Sequence, residues 1–289
     1  SNQESQEQAF QTVRDHLVPK LRSLAESHAI RRRRVNAPLV PKDAPAPEAT
    51  DSSPVPDATP PAPKADAPTA AAATPAPQDL PAPRARRRTQ GIDLVAIGVS
   101  TGGPTALQTV LGSLPADLGV PVLVTQHMPP QFTALLASRL DNMSALSVAE
   151  AAEGDTLRPG GALLAPGDFH MRVVRDDAGT HVALDQGPPV NSCRPAVDVM
   201  LESIAPLFAD RVLVVILTGM GRDGLEGSRR LADLGAHVLA QDAATSVVWG
   251  MPGFVAKEGV ADAVLPLDEI GPEITRIVRT SGRVQGQPA

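Results

Sequence analysis

Continuous hydrophobic runs alternate with amphipathic segments along the chain from about residue 91 onward. Four runs are apolar almost throughout and end in small or polar residues: 92–100, 120–127, 211–219 and 236–242. Helix-like segments lie between and after them: 104–114, 130–140, 195–208, 224–234 and about 268–279. Unbroken apolar strands that alternate with helices are typical of a parallel sheet buried on both faces. The pattern therefore predicts a doubly wound α/β fold with a mainly parallel sheet.

The stretch 162–186 departs from this pattern because polar and apolar residues alternate along it. It contains the sequence DDAG at 176–179, which is composed largely of residues that favour tight turns. Alternation interrupted by a turn predicts a β-hairpin. We expect this antiparallel hairpin to be added to the parallel sheet.

The first 90 residues differ in composition from the rest of the chain. Residues 1–34 carry apolar side chains at three- and four-residue spacings, which predicts an amphipathic helix belonging to a missing neighbouring domain. Residues 35–90 are rich in Pro and Ala, so we expect a disordered linker. Residues 91–280 form the predicted folded domain, and the tail 281–289 is expected to be disordered.

Composition argues against several classes of protein. The net charge of −6 and the scarcity of aromatic residues (five Phe, one Trp, no Tyr) speak against nucleic-acid binding. The single cysteine, Cys193, cannot form an intrachain disulfide, which fits a reducing cytoplasm. The longest apolar run, 212–217, is too short to cross a bilayer and no signal peptide is recognisable, so no membrane insertion is expected.

Three residue types suited to acyl chemistry follow three of the predicted strands. Ser100 ends the first strand, His127 ends the second, and Asp223 comes shortly after the third. Ligands of open parallel sheets bind beyond the carboxyl ends of the strands, so these side chains are expected at one edge. A neutral imidazole accepts the serine proton, and a carboxylate fixes the imidazole tautomer. The pattern therefore favours a serine hydrolase.

The sequence around Ser100 fits a nucleophile at a sharp turn. Residues 98–102 read G-x-S-x-G, a pattern that exposes a serine hydroxyl between a strand and a helix. The backbone N–H of Thr101 would then point toward an incoming carbonyl oxygen. The sequence TGMG at 218–221 offers a second N–H, that of Met220. Thr101 and Met220 are therefore the candidate oxyanion hole.

Simpler explanations exist for each of these residues. The G-x-S-x-G pattern also occurs by chance, a histidine at a strand end is often structural, and Asp223 could cap the following helix. Asp242 ends another predicted strand, and Asp168 and His170 lie in the predicted hairpin, so these three are candidates of lower rank. The coincidence of serine, histidine and aspartate at strand ends favours the catalytic interpretation.

Two other kinds of site fit the sequence less well. A Walker A loop requires a Lys after its glycines, and the dinucleotide fingerprint requires a middle glycine that GVSTGG (98–103) lacks. The six His and one Cys show no spacing typical of a zinc site, so neither a cofactor nor a metal is expected. The order Ser, His, Asp also differs from the Ser, Asp, His order of α/β-hydrolases, which indicates another topology.

The sequence resembles the catalytic domain of the chemotaxis protein-glutamate methylesterases, the CheB family. Six stretches in the family's order carry the resemblance: AIGVSTGGPTAL (96–107), TQHMPPQFTALLASRL (125–140), LAPGDFHMRV (164–173), CRPAVDVML (193–201), VILTGMGRDGLEG (215–227) and AQDAATSVVWGMPGFV (240–255). The resemblance implies the fold of that catalytic domain and a serine hydrolase that needs no cofactor. It implies demethylation of glutamate γ-methyl esters on methyl-accepting chemotaxis receptors, with release of methanol, and deamidation of receptor glutamines.

The resemblance also implies roles for individual residues. Ser100 would be the nucleophile, His127 the general base, and Asp223 the residue that orients His127. Thr101 and Met220 match the oxyanion hole of the family.

Partners follow from the same resemblance. Family members carry an N-terminal receiver domain that is phosphorylated by a histidine kinase, and 1–34 would be its last helix. Arg194 is a candidate for binding acidic substrate groups or, equally, a structural residue that pairs with Asp198 or a helix end. The alternative function is a non-catalytic response-regulator output module that binds a partner through the same cleft.

Overall fold

The computed structural model describes residues 91–177 and 179–282. Nine strands lie in this part of the chain: β1 (Leu94–Val99), β2 (Val122–Gln126), β3 (Ser147–Glu150), β4 (Gly161–Leu164), β5 (His170–Asp176), β6 (Gly179–Asp185), β7 (Val212–Ile216), β8 (His237–Gln241) and β9 (Ala263–Leu265). It also contains six α-helices: α1 (Gly103–Ser113), α2 (Pro130–Asp141), α3 (Val197–Phe208), α4 (Leu225–Leu234), α5 (Met251–Lys257) and α6 (Leu267–Gly282). The predictions for residues 1–34 and 35–90 lie outside the described residues.

Seven of the strands form one sheet in the order β3-β4-β2-β1-β7-β8-β9, in which every neighbouring pair is parallel. The chain winds outward from β1 to one edge and later from β7 to the other. The direction of winding therefore reverses between β1 and β7, which lie side by side at the centre. This arrangement confirms the predicted doubly wound fold, and ligand sites of such sheets lie beside the reversal.

The central strand β1 is buried along its whole length because helices cover both faces of the sheet. Val95, Ile97 and Val99 pack on one side in a cluster with residues of α1, α2 and α6. Leu94 and Ala96 pack on the other side with residues of α3, α4 and α5. Alternate residues of one apolar run thus contribute to two separate cores.

The predicted strands and helices of the main sheet all have counterparts in the structure, with ends shifted by no more than three residues. The last helix continues to Gly282 rather than ending at about 279, so it enters the segment that was predicted to be a tail. Three short strands, β3, β4 and β9, and the short helix α5 were not predicted as separate elements. No helix among the described residues is long and apolar enough to span a membrane.

The predicted hairpin exists, but its expected position in the main sheet is wrong. Strands β5 and β6 pair antiparallel as a separate two-stranded sheet. The hairpin packs on α3, where the backbone N–H of Val173 donates to Ser203 Oγ at 3.0 Å. Its apolar residues Met171, Val173 and Val182 are buried in the same cluster as α3. The edges of the main sheet are instead formed by β3 and β9.

Candidate active site

The candidate site lies at the carboxyl ends of β2, β1 and β7. Ser100 directly follows β1, and its backbone N–H donates to the carbonyl of Thr218 at 3.0 Å. On the other side, the N–H of His127 donates to the carbonyl of Val99 at 3.1 Å. Val99 is paired with Gln126, so Ser100 and His127 are the next two residues along neighbouring strands, which run about 4.8 Å apart. The sheet therefore places the serine and histidine side by side.

His127 and Asp223 form a buried hydrogen-bonded pair. Nε2 of His127 lies 2.7 Å from Oδ2 of Asp223, and the exposed fractions of the two side chains are 12% and 2%. The structure thus brings together two of the residues expected at this edge of the sheet. With Nε2 facing the carboxylate, the Nδ1 nitrogen is left to act toward a substrate.

Asp223 is held by a dense set of donors. Its Oδ2 also accepts a hydrogen bond from the N–H of Val197 at 2.6 Å. Its Oδ1 accepts three: from the N–H of Asp198 at 3.1 Å, from the N–H of Gly224 at 3.1 Å and from the side-chain amide of Asn191 at 2.9 Å. Val197 and Asp198 open α3, so the carboxylate sits at a helix N-terminus, where negative charge is favoured. Burial raises the pKa of Asp223, but the bond to His127 and these donors outweigh burial and lower the pKa.

The charge of Asp223 also changes the ionisation of its neighbours. Burial lowers the pKa of His127, but hydrogen bonds to Asp223 and Cys193 and their charges raise it to about 9. Burial and the nearby charge of Asp223 raise the pKa of Asp198 to about 6. The His127–Asp223 pair therefore favours the imidazolium, the species that forms when a base takes a proton from a nucleophile.

Ser100 is not hydrogen-bonded to His127 in this structure. Within residues 91–177 and 179–282, the Ser100 hydroxyl makes no hydrogen bond, and His127 Nδ1 is hydrogen-bonded to Cys193 Sγ at 3.5 Å. The His127–Asp223 hydrogen bond of the expected Ser–His–Asp set is thus formed, and the Ser100–His127 hydrogen bond is not. The sequence analysis did not single out Cys193 as a residue of this site.

Two glycines allow the loops to approach one another. Gly102 has φ +83° and is the N-cap that precedes α1, and a Cβ there would lie 2.6 Å from Val247. A Cβ on Gly219 would lie 2.8 Å from the Cβ of Ser100 and 2.4 Å from Met251 Sδ. The left-handed turn and the close contact explain why glycine is required at both positions.

The two predicted oxyanion-hole donors lie on loops that are tied together. Thr218 Oγ1 donates to the carbonyl of Thr101 at 2.9 Å, and the N–H of Gly219 donates to Val248 O at 2.9 Å. Neither the N–H of Thr101 nor that of Met220 has a hydrogen-bond partner in the described part of the chain. Both N–H groups are therefore available as hydrogen-bond donors at this edge of the sheet.

Gln126 is a positioning residue that the sequence analysis missed. Its buried side-chain Nε2 donates to the carbonyls of both Ser100 and His127, each at 3.0 Å. Its Oε1 has no hydrogen-bond partner among the described residues. A buried polar residue at the end of an apolar run was the available signal, because such a residue needs partners to offset its burial.

Arg194 and the lower-ranked candidates have structural partners. Arg194 pairs with Asp168, with Nη2 to Oδ1 at 2.6 Å, and its Nη1 donates to the carbonyls of Gln186 and Gly187. The suggested pairing of Arg194 with Asp198 is therefore wrong. His170 is buried and hydrogen-bonded to backbone on both sides.

Asp242 also has a local role. Its Oδ1 accepts from the backbone N–H and the hydroxyl of Thr245, at 2.9 and 2.5 Å. These bonds close the turn that follows β8 and do not reach His127.

The fold and the site define a doubly wound α/β protein with a serine and a buried histidine–aspartate pair at the reversal of winding. The family described as CheB methylesterase matches residues 95–274, more than half of the sequence. The chain belongs to the CheB methylesterase family. The sequence resemblance is thereby confirmed.

Individual relatives agree with this assignment. A protein-glutamate methylesterase/protein-glutamine glutaminase of Maricaulis maris is 50% identical over 190 residues, which are 66% of this chain and 47% of that protein. One from Caulobacter vibrioides is 50% identical over 217 residues, 73% of this chain and 62% of that protein. The crystal structure of the Thermotoga maritima CheB methylesterase catalytic domain matches with a TM-score of 0.63 and 42% identity, covering 65% of this chain and 99% of that domain. The chain thus spans about half the length of these full-length relatives.

Proposed function

We propose that this protein is a serine hydrolase that removes methyl groups from glutamate γ-methyl esters of chemotaxis receptors, releasing methanol, and that it deamidates receptor glutamines. The main support for this proposal is the 2.7 Å hydrogen bond between His127 and Asp223, which lies beside Ser100 where the direction of winding of the sheet reverses. The names of the relatives, which are protein-glutamate methylesterases and protein-glutamine glutaminases, support the same reaction.

The proposed reaction begins when the Ser100 hydroxyl attacks the ester carbonyl. His127 takes the hydroxyl proton at Nδ1, while its Nε2–H stays bonded to Asp223. The backbone N–H groups of Thr101 and Met220 stabilise the negative oxygen of the tetrahedral intermediate, each worth roughly 3 kcal/mol.

The intermediate then collapses to an acyl-enzyme. The imidazolium gives its proton to the departing methoxide, and methanol leaves. A water molecule attacks the acyl group in the same way, which releases the glutamate side chain and restores Ser100. In deamidation the leaving group is ammonia instead of methanol, and every other step is the same.

The surroundings of the site suit a helix surface as substrate. Met220 and Val247 are 73% and 69% exposed, and Phe132 of α2 is 50% exposed. These apolar residues lie on loops and helices that leave the carboxyl edge of the sheet. We assign Arg194 to holding the Asp168 loop, because its donors are already engaged there.

Regulation by a partner domain belongs to the same proposal. Because the chain spans about half the length of its curated relatives, an N-terminal receiver domain and its histidine kinase stay predictions from the family resemblance, as does a cytoplasmic location. A non-catalytic output module is the competing function, and the Ser100 experiment distinguishes the two.

The test replaces Ser100 by alanine in the full 289-residue chain and measures methanol release from methylated receptor cytoplasmic domains. We expect release to vanish while circular dichroism and the unfolding midpoint stay unchanged. The matched control is Ser113→Ala on α1, whose hydroxyl donates to Val110 O at 2.7 Å, and this variant should release methanol at the wild-type rate. Wild-type hydrolysis by the Ser100 variant would refute the proposed nucleophile, and no hydrolysis by the wild-type chain would favour the output module.

A further inference from the structure

Cys193 is held against the free nitrogen of the His127 ring. Its Sγ lies 3.5 Å from Nδ1, and together with Asp223 these residues form a cluster in which one ligating atom from each lies within 4.8 Å of the others. Cys193 is partly exposed and the His127 side chain is 12% exposed, so small solutes can reach the cluster. Sulfur, imidazole nitrogen and carboxylate oxygen are all ligands that Zn²⁺ uses in proteins.

The turn that carries Cys193 is fixed at both ends. Val190 and Cys193 exchange two backbone hydrogen bonds, at 2.9 and 3.1 Å. The residue after Val190, Asn191, donates its side-chain amide to Asp223 Oδ1 at 2.9 Å and to Asp198 Oδ2 at 2.8 Å. The sulfur is therefore held in position by the same carboxylate that orients the histidine.

The distance between sulfur and nitrogen equals the separation required for joint binding of one zinc ion. With Zn–S of about 2.3 Å, Zn–N of about 2.0–2.1 Å and a tetrahedral angle, the two ligand atoms lie about 3.5–3.6 Å apart. The observed separation of 3.5 Å matches this value. A cation placed between Sγ and Nδ1 would keep its remaining positions for water.

Asp223 makes the contact with His127 that a carboxylate commonly makes with a metal-binding histidine. A ligating histidine commonly donates its second N–H to a carboxylate, which fixes the tautomer and the ring orientation. Nε2 of His127 makes this bond at 2.7 Å, so in the neutral ring Nδ1 carries the lone pair that a metal would bind. The contacts of Asp223 with Val197, Asp198, Gly224 and Asn191 leave it outside the metal's coordination sphere.

We propose that Cys193 Sγ and His127 Nδ1 form a binding site for a thiolate-preferring divalent cation, of which Zn²⁺ is the type, with Asp223 orienting the histidine. The metal replaces the S–H proton of Cys193 and, where the ring is an imidazolium, the Nδ1–H proton of His127, and these protons pass to solvent. The cation also occupies the lone pair that the proposed hydrolysis needs. Zinc binding therefore inhibits methanol release, and this last consequence alone rests on the proposed function.

The experiment measures binding of Cd²⁺ and Zn²⁺ to the full chain. Cd²⁺ bound to a thiolate gives an ultraviolet charge-transfer band, and we expect one equivalent of this band in the wild type and none in Cys193→Ser. Zn²⁺ titrated calorimetrically should bind Cys193→Ser at least tenfold more weakly, and Asp223→Asn about 10–100-fold more weakly, as expected when a partner of a ligating histidine is lost. The control variant His181→Gln, on the hairpin, should bind like the wild type.

Two results would overturn the site. One is a wild-type chain without a thiolate–cadmium band, which would mean that the 3.5 Å contact is only an S–H···N hydrogen bond. The other is equal zinc affinity of the wild type and Cys193→Ser, which would place the metal elsewhere. Ser100→Ala should bind both ions normally. The metal-binding measurement can therefore be interpreted even if the proposed hydrolysis is refuted. Methanol release can likewise be measured in chelator-treated protein even if the metal site is refuted.

Discussion

Replacing Asp223 by asparagine tests the buried carboxylate at the centre of the site. The carboxylate accepts five hydrogen bonds, two at Oδ2 and three at Oδ1. An amide has only one acceptor oxygen, so its NH₂ group must replace one of the two carboxylate oxygens. An NH₂ group at the Oδ1 position would face three hydrogen-bond donors, and an NH₂ group at the Oδ2 position would face two. We expect the second orientation.

This orientation has a specific consequence for His127. The amide NH₂ now donates to Nε2, so the ring carries its proton on Nδ1, where it can no longer accept a proton from Ser100. The backbone N–H of Val197 also loses its acceptor, and one unsatisfied buried donor costs about 1–3 kcal/mol. Losing a negative charge at the start of α3 adds about 0.3–1 kcal/mol. We expect destabilisation of about 1–4 kcal/mol and a fall in kcat of about 10⁴.

Urea unfolding followed by circular dichroism measures the first effect, and methanol release measures the second. The matched control is Asp242→Asn, because an asparagine Oδ1 can still accept the two bonds from Thr245. The control should hydrolyse at nearly the wild-type rate. If Asp223→Asn kept kcat within tenfold of the wild type while the control lost activity, Asp242 would replace Asp223 in the proposed mechanism.

Three further outcomes follow from the same geometry. The pKa of His127 is raised to about 9, so the fraction of neutral imidazole grows with pH below that value. Methanol release by chelator-treated protein should therefore rise about tenfold per pH unit, and a flat profile between pH 6 and 8 would contradict the proposed base. Gln126→Leu removes the donor shared by Ser100 and His127 and should lower kcat about 10–100-fold with little change in KM. Gly219→Ala forces a methyl group against Met251 and Ser100 and should destabilise the fold by about 1–3 kcal/mol in urea unfolding.

The sign of the stability change with pH follows from the same ionisation. The folded-state pKa of His127, about 9, lies above its ordinary value of 6.5, so folding favours the imidazolium. This contribution is present in full below about pH 6.5 and is lost as the pH rises to about 9. Asp223 behaves in the opposite sense, because its lowered pKa adds stability that is lost only in acid.

The fold was predictable because its central strands are uniform in character. A run such as LVAIGV can only be buried on both faces, which requires parallel strands covered by helices. The edge strands escaped prediction for the converse reason. Strand β3 alternates exposed and buried residues over only four positions, and β9 has three residues, none of them fully buried. Their pairing depends on the neighbouring strands rather than on their own sequence.

The strand-end residues were also accessible from sequence, because topology alone brings the ends of β1, β2 and β7 together. The residues that bind to them were not. Asn191 and Cys193 lie on a turn between the hairpin and α3, and no periodic pattern predicts where such a turn packs. The expectation of no metal was drawn from His and Cys spacing along the chain, which gives no information on the contact of His127 and Cys193 across 66 positions of sequence.

The two nitrogens of His127 explain why these missed residues matter. Because Nε2 is committed to Asp223, every event at the site must use the single lone pair of Nδ1. In the structure Nδ1 lies 3.5 Å from the Cys193 sulfur, whereas the Ser100 hydroxyl is unbonded within the described residues. Serine, thiol and a bound cation are therefore mutually exclusive partners of one atom. In the proposed mechanism this competition determines whether the imidazole acts as a base, and removal of Cys193 should change the inhibition by zinc without moving Asp223.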